Sequence, residues 1–354
     1  MTAANRPLFS VIIPTRNPSF LFAVALQSVL EQRFRDFEVI VVNDGLSDEH
    51  ELRCRELINE SCGIARMLNL VRTRRGHGPG RARNCGATEA HGDYLCFLDD
   101  DDQWTEPEHL NRVARVIAAN ARPIDLFLAN QRAFRDGVPV PEVIWIEDLE
   151  ARMRDSPDDA GAYSVTLGQL LRCQAHCHLN TTIVSRTLFD EIGGLDEALG
   201  YEEDRDFFLR AIDRARLIKF LPWIVSRHNI PDPDARMNWS TVESELSKRL
   251  FQLRVFDKAI LFSEQPELRR HGMRQRTYTL KHIATEAARI GRLDCAVYYA
   301  RQALAAGFTF AWLAVTTLFL LRRHFAPGRD SDHRPSAHSV ATQPSTVART
   351  ARRS

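Results

Sequence analysis

The chain has 354 residues, 44% hydrophobic and 26% charged, with a formal net charge of +1. These are the proportions of a soluble globular protein with room for one large domain or two smaller ones. The near-neutral balance gives no sign of nucleic acid or of another strongly charged partner. Seven dispersed cysteines (54, 62, 85, 96, 173, 177 and 295) point to reduced thiols in a cytoplasmic compartment rather than a disulfide frame. Residues 1–7 are polar, and Pro14 and Arg16 interrupt the first apolar run, so no signal peptide is expected.

Residues 8–13 read as a buried strand, and 20–32 as a helix with Leu21, Val24, Ala25, Ser28 and Val29 on one face. A second buried strand, 37–42, runs into Asn43-Asp44-Gly45, and a helix follows at 49–60. Residues 66–71 are a third strand, 76–80 a glycine-rich loop and 81–90 a helix. That loop is not a P-loop, because no Gly-Lys-Ser/Thr follows it. Tyr94 to Leu98 is a fourth strand, 124–129 a fifth, and 143–146 a short strand. Residues 155–161 read as a mobile loop. Near-continuous apolar strands alternating with helices predict an α/β fold with a mostly parallel sheet flanked by helices.

The fourth strand ends in four consecutive carboxylates, Asp99, Asp100, Asp101 and Asp102. Adjacent negative charges need solvent, basic neighbours or a hard divalent cation such as Mg²⁺ or Mn²⁺. Strand one ends in Pro14-Thr15-Arg16-Asn17 and strand two in Asp44. In a parallel sheet these ends share one edge and line one crevice, where such folds bind ligands. Asp44 is suited to a turn or helix cap, or to accepting from a base N–H or a ribose hydroxyl.

These residues carry a resemblance. Phe9-Ser10-Val11-Ile12-Ile13-Pro14-Thr15-Arg16-Asn17 resembles the opening of the family 2 glycosyltransferases. Residues 38–48, around Asn43-Asp44-Gly45, resemble that family's nucleotide-binding second strand. Ala82-Arg83-Asn84-Cys85-Gly86 resembles its Ala-Arg-Asn-x-Gly helix start, and Phe97 to Trp104 its Asp-x-Asp metal motif. Order and spacing match over roughly residues 8–230. The resemblance implies a GT-A-type fold, a nucleotide-diphospho-sugar donor, a divalent metal and an inverting transfer.

A fifth motif follows the strand expected at 179–184 and a short helix at 186–192. Gly193-Gly194 permits a sharp turn, and Glu202-Glu203-Asp204 opens the next helix, whose dipole favours anions. Glu203-Asp204 resembles the family's Glu-Asp pair, whose Asp takes the proton from the acceptor hydroxyl. A sugar hydroxyl is a poor nucleophile, and a carboxylate within reach accelerates its attack by about 10²–10⁴-fold. A cation on the opposite side of the anomeric carbon would stabilise the departing diphosphate. The resemblance thus makes Asp204 the catalytic base and Glu203 a substrate-facing neighbour. Pro14, Thr15, Arg16, Asn17, Asp44, Asp99 and Asp100 are expected beside the donor. Asp101, Asp102 and His228 are expected to hold the metal, and Asp99 to lie near it. Asp100 is the least suited ligand, since the family often has a small residue there.

Arg227-His228, at the end of the strand-like run 223–226, resembles a late segment that faces the diphosphate or metal in relatives. Arg83 has two open readings, toward the donor phosphates or toward an acid across the sheet. Cys173-Gln174-Ala175-His176-Cys177-His178 lacks zinc-site spacing and is expected near the acceptor pocket.

Pro231-Asp232-Pro233-Asp234 reads as a linker. Beyond it Val242, Leu246, Leu250, Leu253, Phe256 and Ile260 recur at helical spacing. Residues 277–290 and 293–306 read as an antiparallel helix pair joined at Gly291-Arg292. Residues 308–321 are apolar but too short to span a bilayer. With Arg322-Arg323-His324 behind them they suit an anionic membrane surface. Residues 326–354, rich in Ser, Thr, Pro and Arg, read as disordered.

The expectation is a catalytic domain over 1–232, a helical region over 233–325 and a tail over 326–354. The expected activity is metal-dependent, inverting hexosyl transfer to a saccharide or lipid-linked acceptor in surface polysaccharide or glycolipid synthesis. The expected location is the cytoplasm or the inner face of its membrane. A sugar-phosphate nucleotidyltransferase is the first alternative, disfavoured because Pro14-Thr15-Arg16-Asn17 stands where that class has a glycine-rich loop. A non-catalytic carbohydrate-binding protein on the same fold is the second, disfavoured because the base and the acids are present.

Overall fold

The structure, a computed structural model, describes residues 6–16, 21–73, 76–230 and 243–325. Asn17, the linker at 231–234, Val242 and the tail at 326–354 lie outside the described residues.

The elements in chain order begin with β1 (Phe9–Thr15), α1 (Leu21–Leu30), β2 (Phe37–Asn43), α2 (Asp48–Asn59), β3 (Ala65–Asn69) and α3 (Pro79–Glu89). Next come β4 (Tyr94–Phe97), β5 (Gln103–Trp104), α4 (His109–Ala119), β6 (Leu126–Arg135), β7 (Val138–Pro139) and β8 (Tyr163–Val165). The short helix α5 (Leu167–Leu170) precedes β9 (Thr182–Ser185), α6 (Arg186–Glu191), α7 (Glu203–Arg214) and β10 (Ile218–Asn229). Four helices close the described chain: α8 (Glu245–Phe262), α9 (Pro266–Arg289), α10 (Leu293–Ala306) and α11 (Phe310–His324).

The strands form one sheet in the order β3-β2-β1-β4-β9-β6-β10-β5, with β7 on β6 and β8 on β10. Strands β3, β2, β1 and β4 are parallel, as is the β6–β10 pair. The sheet as a whole is mixed rather than mostly parallel, because β9 runs antiparallel between β4 and β6. The chain enters β9 through a 3-10 turn over Leu179–Thr181.

The continuous apolar strands are explained by burial on both faces. Phe9, Val11 and Ile13 of β1 pack with Val39 and Val41 against α1 and α4, while Ile12, Ile40 and Val42 face α3, α6 and α7. Helix α3 approaches very closely, since a Cβ on Gly86 would lie 2.6 Å from Cγ2 of Ile12. Val255, Phe256 and Ala259 of α8 and Leu268 of α9 join the same apolar cluster as the sheet. The second half of α9 instead packs with α10 and α11 around Ala284, Ala287, Val297, Ala300 and Phe319.

Two expected local features differ. Residues 143–146 form no strand; Trp145 and Ile146 are buried from an irregular segment. The loop at 155–161 is tied down, with Asp158 paired to Lys219 at 2.8 Å and accepting from the backbone of Ala160 and Ala162.

Candidate active site

Strand β4 stops at Phe97, and the acid run turns across the sheet edge to β5, which pairs with Ser226 and Arg227 of β10. Asn180 organises that turn. Its side-chain oxygen accepts the Asp99 backbone N–H at 3.0 Å, its amide donates to Asp102, and its carbonyl accepts the Trp104 indole N–H at 2.9 Å.

The four acids have different partners. Asp99 pairs with Arg83 at 2.5 Å, and Nε2 of His178 lies 3.9 Å from its other oxygen. Burial pushes the Asp99 carboxyl up, but Arg83 and His178 outweigh it and hold it below the usual carboxylate range. Asp100 accepts the Thr15 hydroxyl at 2.6 Å and the Arg16 backbone N–H, yet burial lifts it to about 7. Asp101 gives its main-chain carbonyl to Asn229 and, among the described residues, makes no side-chain hydrogen bond or ion pair. Burial and the charges of Asp102, Asp100 and Asp99 raise its carboxyl well above the usual range. Asp102 is wholly buried and accepts from Asn180, from Nδ1 of His228 at 2.7 Å and from the Asn229 backbone at 2.7 Å.

Asp102, expected among the metal ligands, has both carboxylate oxygens engaged by Asn180, His228 and Asn229. The groups that could hold a cation are Asp101 and Nε2 of His228, with Asp102 behind the imidazole as an orienting carboxylate. Burial opposes the charge of His228, but Asp102 and Asp101 prevail and lift it to about 9. Its ring packs edge-on to Trp145 and lies 5.1 Å from the ring of His178. Among the described residues no group of three His, Cys, Asp or Glu is arranged to hold a metal. A nucleotide-bound Mg²⁺ draws its remaining ligands from phosphate oxygens and water, so a carboxylate and an imidazole beside excess negative charge fit that donor set.

Arg83 is buried, and its two arms reach Asp99 at 2.5 Å and Glu203 at 3.0 Å. Of its two readings it takes the one toward acids. The nearer acid gains more: Asp99 is lowered, whereas burial lifts Glu203 to about 7, with Arg83 opposing and Asp204 reinforcing. The bridge sets the first turn of α7 beside the acid run. Asn84, the next residue of α3, exchanges hydrogen bonds with the backbone of Leu195, and so secures the segment after Gly193 and Gly194.

Asp204 accepts from Nε2 of His176 at 2.9 Å and from the Arg205 backbone at 2.7 Å. Burial favours its neutral form, but His176, His178 and Arg205 hold it well below the usual range. Glu202, just before α7, has φ +67°, a strained backbone for a non-glycine residue. It is held by Arg205 at 2.9 Å and Gln252 of α8 at 2.8 Å.

The remaining expected residues are placed as follows. Pro14 and Thr15 end β1, and the Arg16 guanidinium lies against Gly76. Asp44 spends its carboxylate on the loop before α3, accepting from the backbone of His77 at 2.8 Å and of Gly78 at 3.0 Å, with the His77 ring at 2.9 Å. Arg227 stacks over Phe134 at 4.1 Å and donates to Asn229. Its neighbour His228 alone of the two reaches the acids, as strand alternation requires. Sequence reasoning missed His176, His178, Asn180 and Trp145 as parts of this cluster. The seven cysteines are all free, Cys173 and Cys177 among them.

The family model described as "Glycosyl transferase family 2" matches residues 10–164, the segment holding β1, β2, α3 and the acid run. Over those residues the chain is similar to glycosyl transferase family 2. Its α7 and β10 lie beyond the matched residues. Similar proteins include the amylovoran biosynthesis glycosyltransferase AmsB of Erwinia amylovora, 38% identical over 96 residues, which is 27% of this chain and 31% of the relative. A GalNAc(5)-diNAcBac-PP-undecaprenol beta-1,3-glucosyltransferase of Campylobacter jejuni is 36% identical over 97 residues, 27% of this chain and 30% of the relative. The matches to these two thus span less than a third of each relative's own length. Among solved structures, S. aureus TarS 1-349 in complex with UDP-GlcNAc superposes with a TM-score of 0.63 at 20% identity, covering 89% of this chain and 87% of that one. A Pyrobaculum calidifontis mannosyltransferase in complex with GDP-Man and Mn²⁺ gives a TM-score of 0.53 at 17% identity, covering 91% and 88%. These likenesses establish the GT-A-type fold.

Proposed function

We propose that this chain transfers a sugar from a nucleotide-diphospho-sugar to an acceptor hydroxyl, with inversion at the anomeric carbon. The observation that carries the proposal is the Arg83 bridge, which brings Glu203-Asp204 beside Asp99–Asp102. Donor and base thereby face one space from two elements. The nucleoside diphosphate lies along the ends of β1 and β2, beside Pro14, Thr15, Arg16, Asp99 and Asp100, and beside the loop that Asp44 fastens. Asp204 takes the proton of the acceptor hydroxyl as that oxygen bonds to the anomeric carbon. The bond to the diphosphate oxygen breaks, and the diphosphate keeps its electron pair.

Asp101 and Nε2 of His228 would hold Mg²⁺ or Mn²⁺. Such a cation, when bound, stabilises charge on the leaving diphosphate. The Erwinia and Campylobacter relatives favour a saccharide or lipid-linked acceptor in surface polysaccharide or glycolipid synthesis.

We also infer a peripheral contact with the inner face of the cytoplasmic membrane. No helix among the described residues is long and apolar enough to cross a bilayer. Yet α11 turns Phe310, Leu318 and Leu321 outward, flanked by exposed Phe308 and Phe325 and ending in Arg322, Arg323 and His324. A short amphipathic helix of this kind lies along an anionic surface.

Nucleoside diphosphate release, measured over a panel of nucleotide sugars with and without acceptor, tests the activity. Asp204→Asn should bind donor like the wild type and turn over about 10²–10⁴-fold more slowly. Wild-type turnover in that variant would remove Asp204 as the base.

A further inference from the structure

The catalytic carboxylate does not stand alone, and its partner sits in a segment no motif covers. His176 belongs to the run between α5 and the turn before β9. Its Nε2 lies 2.9 Å from Oδ2 of Asp204, and the Nε–H of Arg205 points at its Nδ1 from 3.3 Å. A guanidinium has donors only. Nδ1 must therefore present its lone pair, and the ring proton resides on Nε2, from which it donates to Asp204.

We propose that His176 is a positioning residue for the base: Arg205 fixes its tautomer, and the fixed imidazole holds the Asp204 carboxylate plane against the incoming hydroxyl. This inference rests on Asp204 being the base, as proposed above. Oδ1 is held in turn by the Arg205 backbone N–H at 2.7 Å. Each oxygen therefore has one donor, and each keeps a lone pair for the acceptor proton. Phe208 flanks the imidazole, with ring centroids 6.2 Å apart. Arg205 is itself anchored to Glu202, so the clamp is built into the strained entry to α7. The arrangement gives up basicity, since donors to a carboxylate stabilise its ionised form, and gains orientation. Misplacement of a reacting group by about 1 Å costs on the order of 100-fold.

Two experiments test the clamp. Nitrogen-15 spectra of the histidine-labelled protein, with the His176 signals assigned by their loss in His176→Gln, should show a neutral ring protonated on Nε2. A proton on Nδ1 overturns the proposal whatever the activity. Kinetically, His176→Ala should lower kcat by roughly 10- to 100-fold with the donor KM unchanged. His176→Gln should recover most of that loss, because a glutamine amide can donate to Asp204 while its oxygen accepts from Arg205. If Asp204→Asn is inactive but His176→Ala keeps wild-type kcat, or if Gln is no better than Ala, the clamp is wrong and the base assignment stands. If Asp204→Asn is fully active, the base assignment falls and takes the clamp with it.

Discussion

Asp102 accepts a hydrogen bond from Nδ1 of His228 at 2.7 Å across 126 residues of chain. The contact joins the acid run to the last strand of the sheet, and the Asn229 backbone N–H reinforces it at 2.7 Å. It also decides which imidazole nitrogen faces the crevice. An aspartate backing a histidine in this way orients the ring and raises its basicity.

A stability consequence follows from that pair. The folded-state value of His228 is raised to about 9, above the roughly 6.5 of an unfolded histidine. Its contribution is fully present below about 6.5 and is lost as pH rises through about 9. The thermal midpoint of the metal-free protein should therefore fall over that window. In Asp102→Asn the fall should flatten, as read by circular dichroism melts; an equally steep decline in the variant would assign it to another group.

Asp101 is the acid with the most to gain from a cation. In calorimetry with Mg²⁺ or Mn²⁺ present, Asp101→Ala should weaken nucleoside diphosphate binding, and a chelator should weaken the wild type to a similar degree. Chelator added to Asp101→Ala should then change little. Unchanged wild-type affinity after chelation would count against a metal at this position.

Gly86 sets how closely α3, and with it Arg83, approaches the sheet. A methyl there would sit 2.6 Å from Cγ2 of Ile12 and 2.9 Å from Cγ2 of Val42. Gly86→Ala should overpack this contact and destabilise the fold by about 1–3 kcal/mol, measured by urea denaturation. A stability equal to wild type would mean that α3 can shift outward freely.

The outward face of α11 gives a binding prediction. Phe310→Glu and Leu321→Glu alter exposed side chains, so folding should be unaffected. Both should reduce co-sedimentation with phosphatidylglycerol vesicles, and added salt should reduce it for the wild type. Retained sedimentation of the double variant would place the membrane contact elsewhere.

Much of this architecture is written locally. The apolar runs at β1, β2 and β4, with acids or turns at their ends, reveal the strands and the edge they share, because burial on two faces leaves a one-dimensional signature. The antiparallel direction of β9 leaves none, since its partners β4 and β6 lie some fifty to ninety positions earlier in the chain. The acid run is equally visible, but the division of labour within it is not. Asp101 and Asp102 are adjacent and chemically identical, and only the convergence of Asn180, His228 and Asn229 separates them. His176 was hidden for the same reason: its meaning comes from Asp204 and Arg205, almost thirty positions away. The Cys-x-x-His-Cys-His run is legible as a segment without zinc-site spacing near the acceptor side, but not the two carboxylates that its histidines face.

The shared cluster of Val255, Phe256, Ala259 and Leu268 with the sheet bears on how this chain can be cut or recombined. Ending it after β10 would strip an apolar cover from Phe208 and Leu209 and free Glu202 from Gln252, at the entry to α7. A graft meant to exchange the outer helices should therefore splice within α9, beyond Leu268, where the packing changes hands.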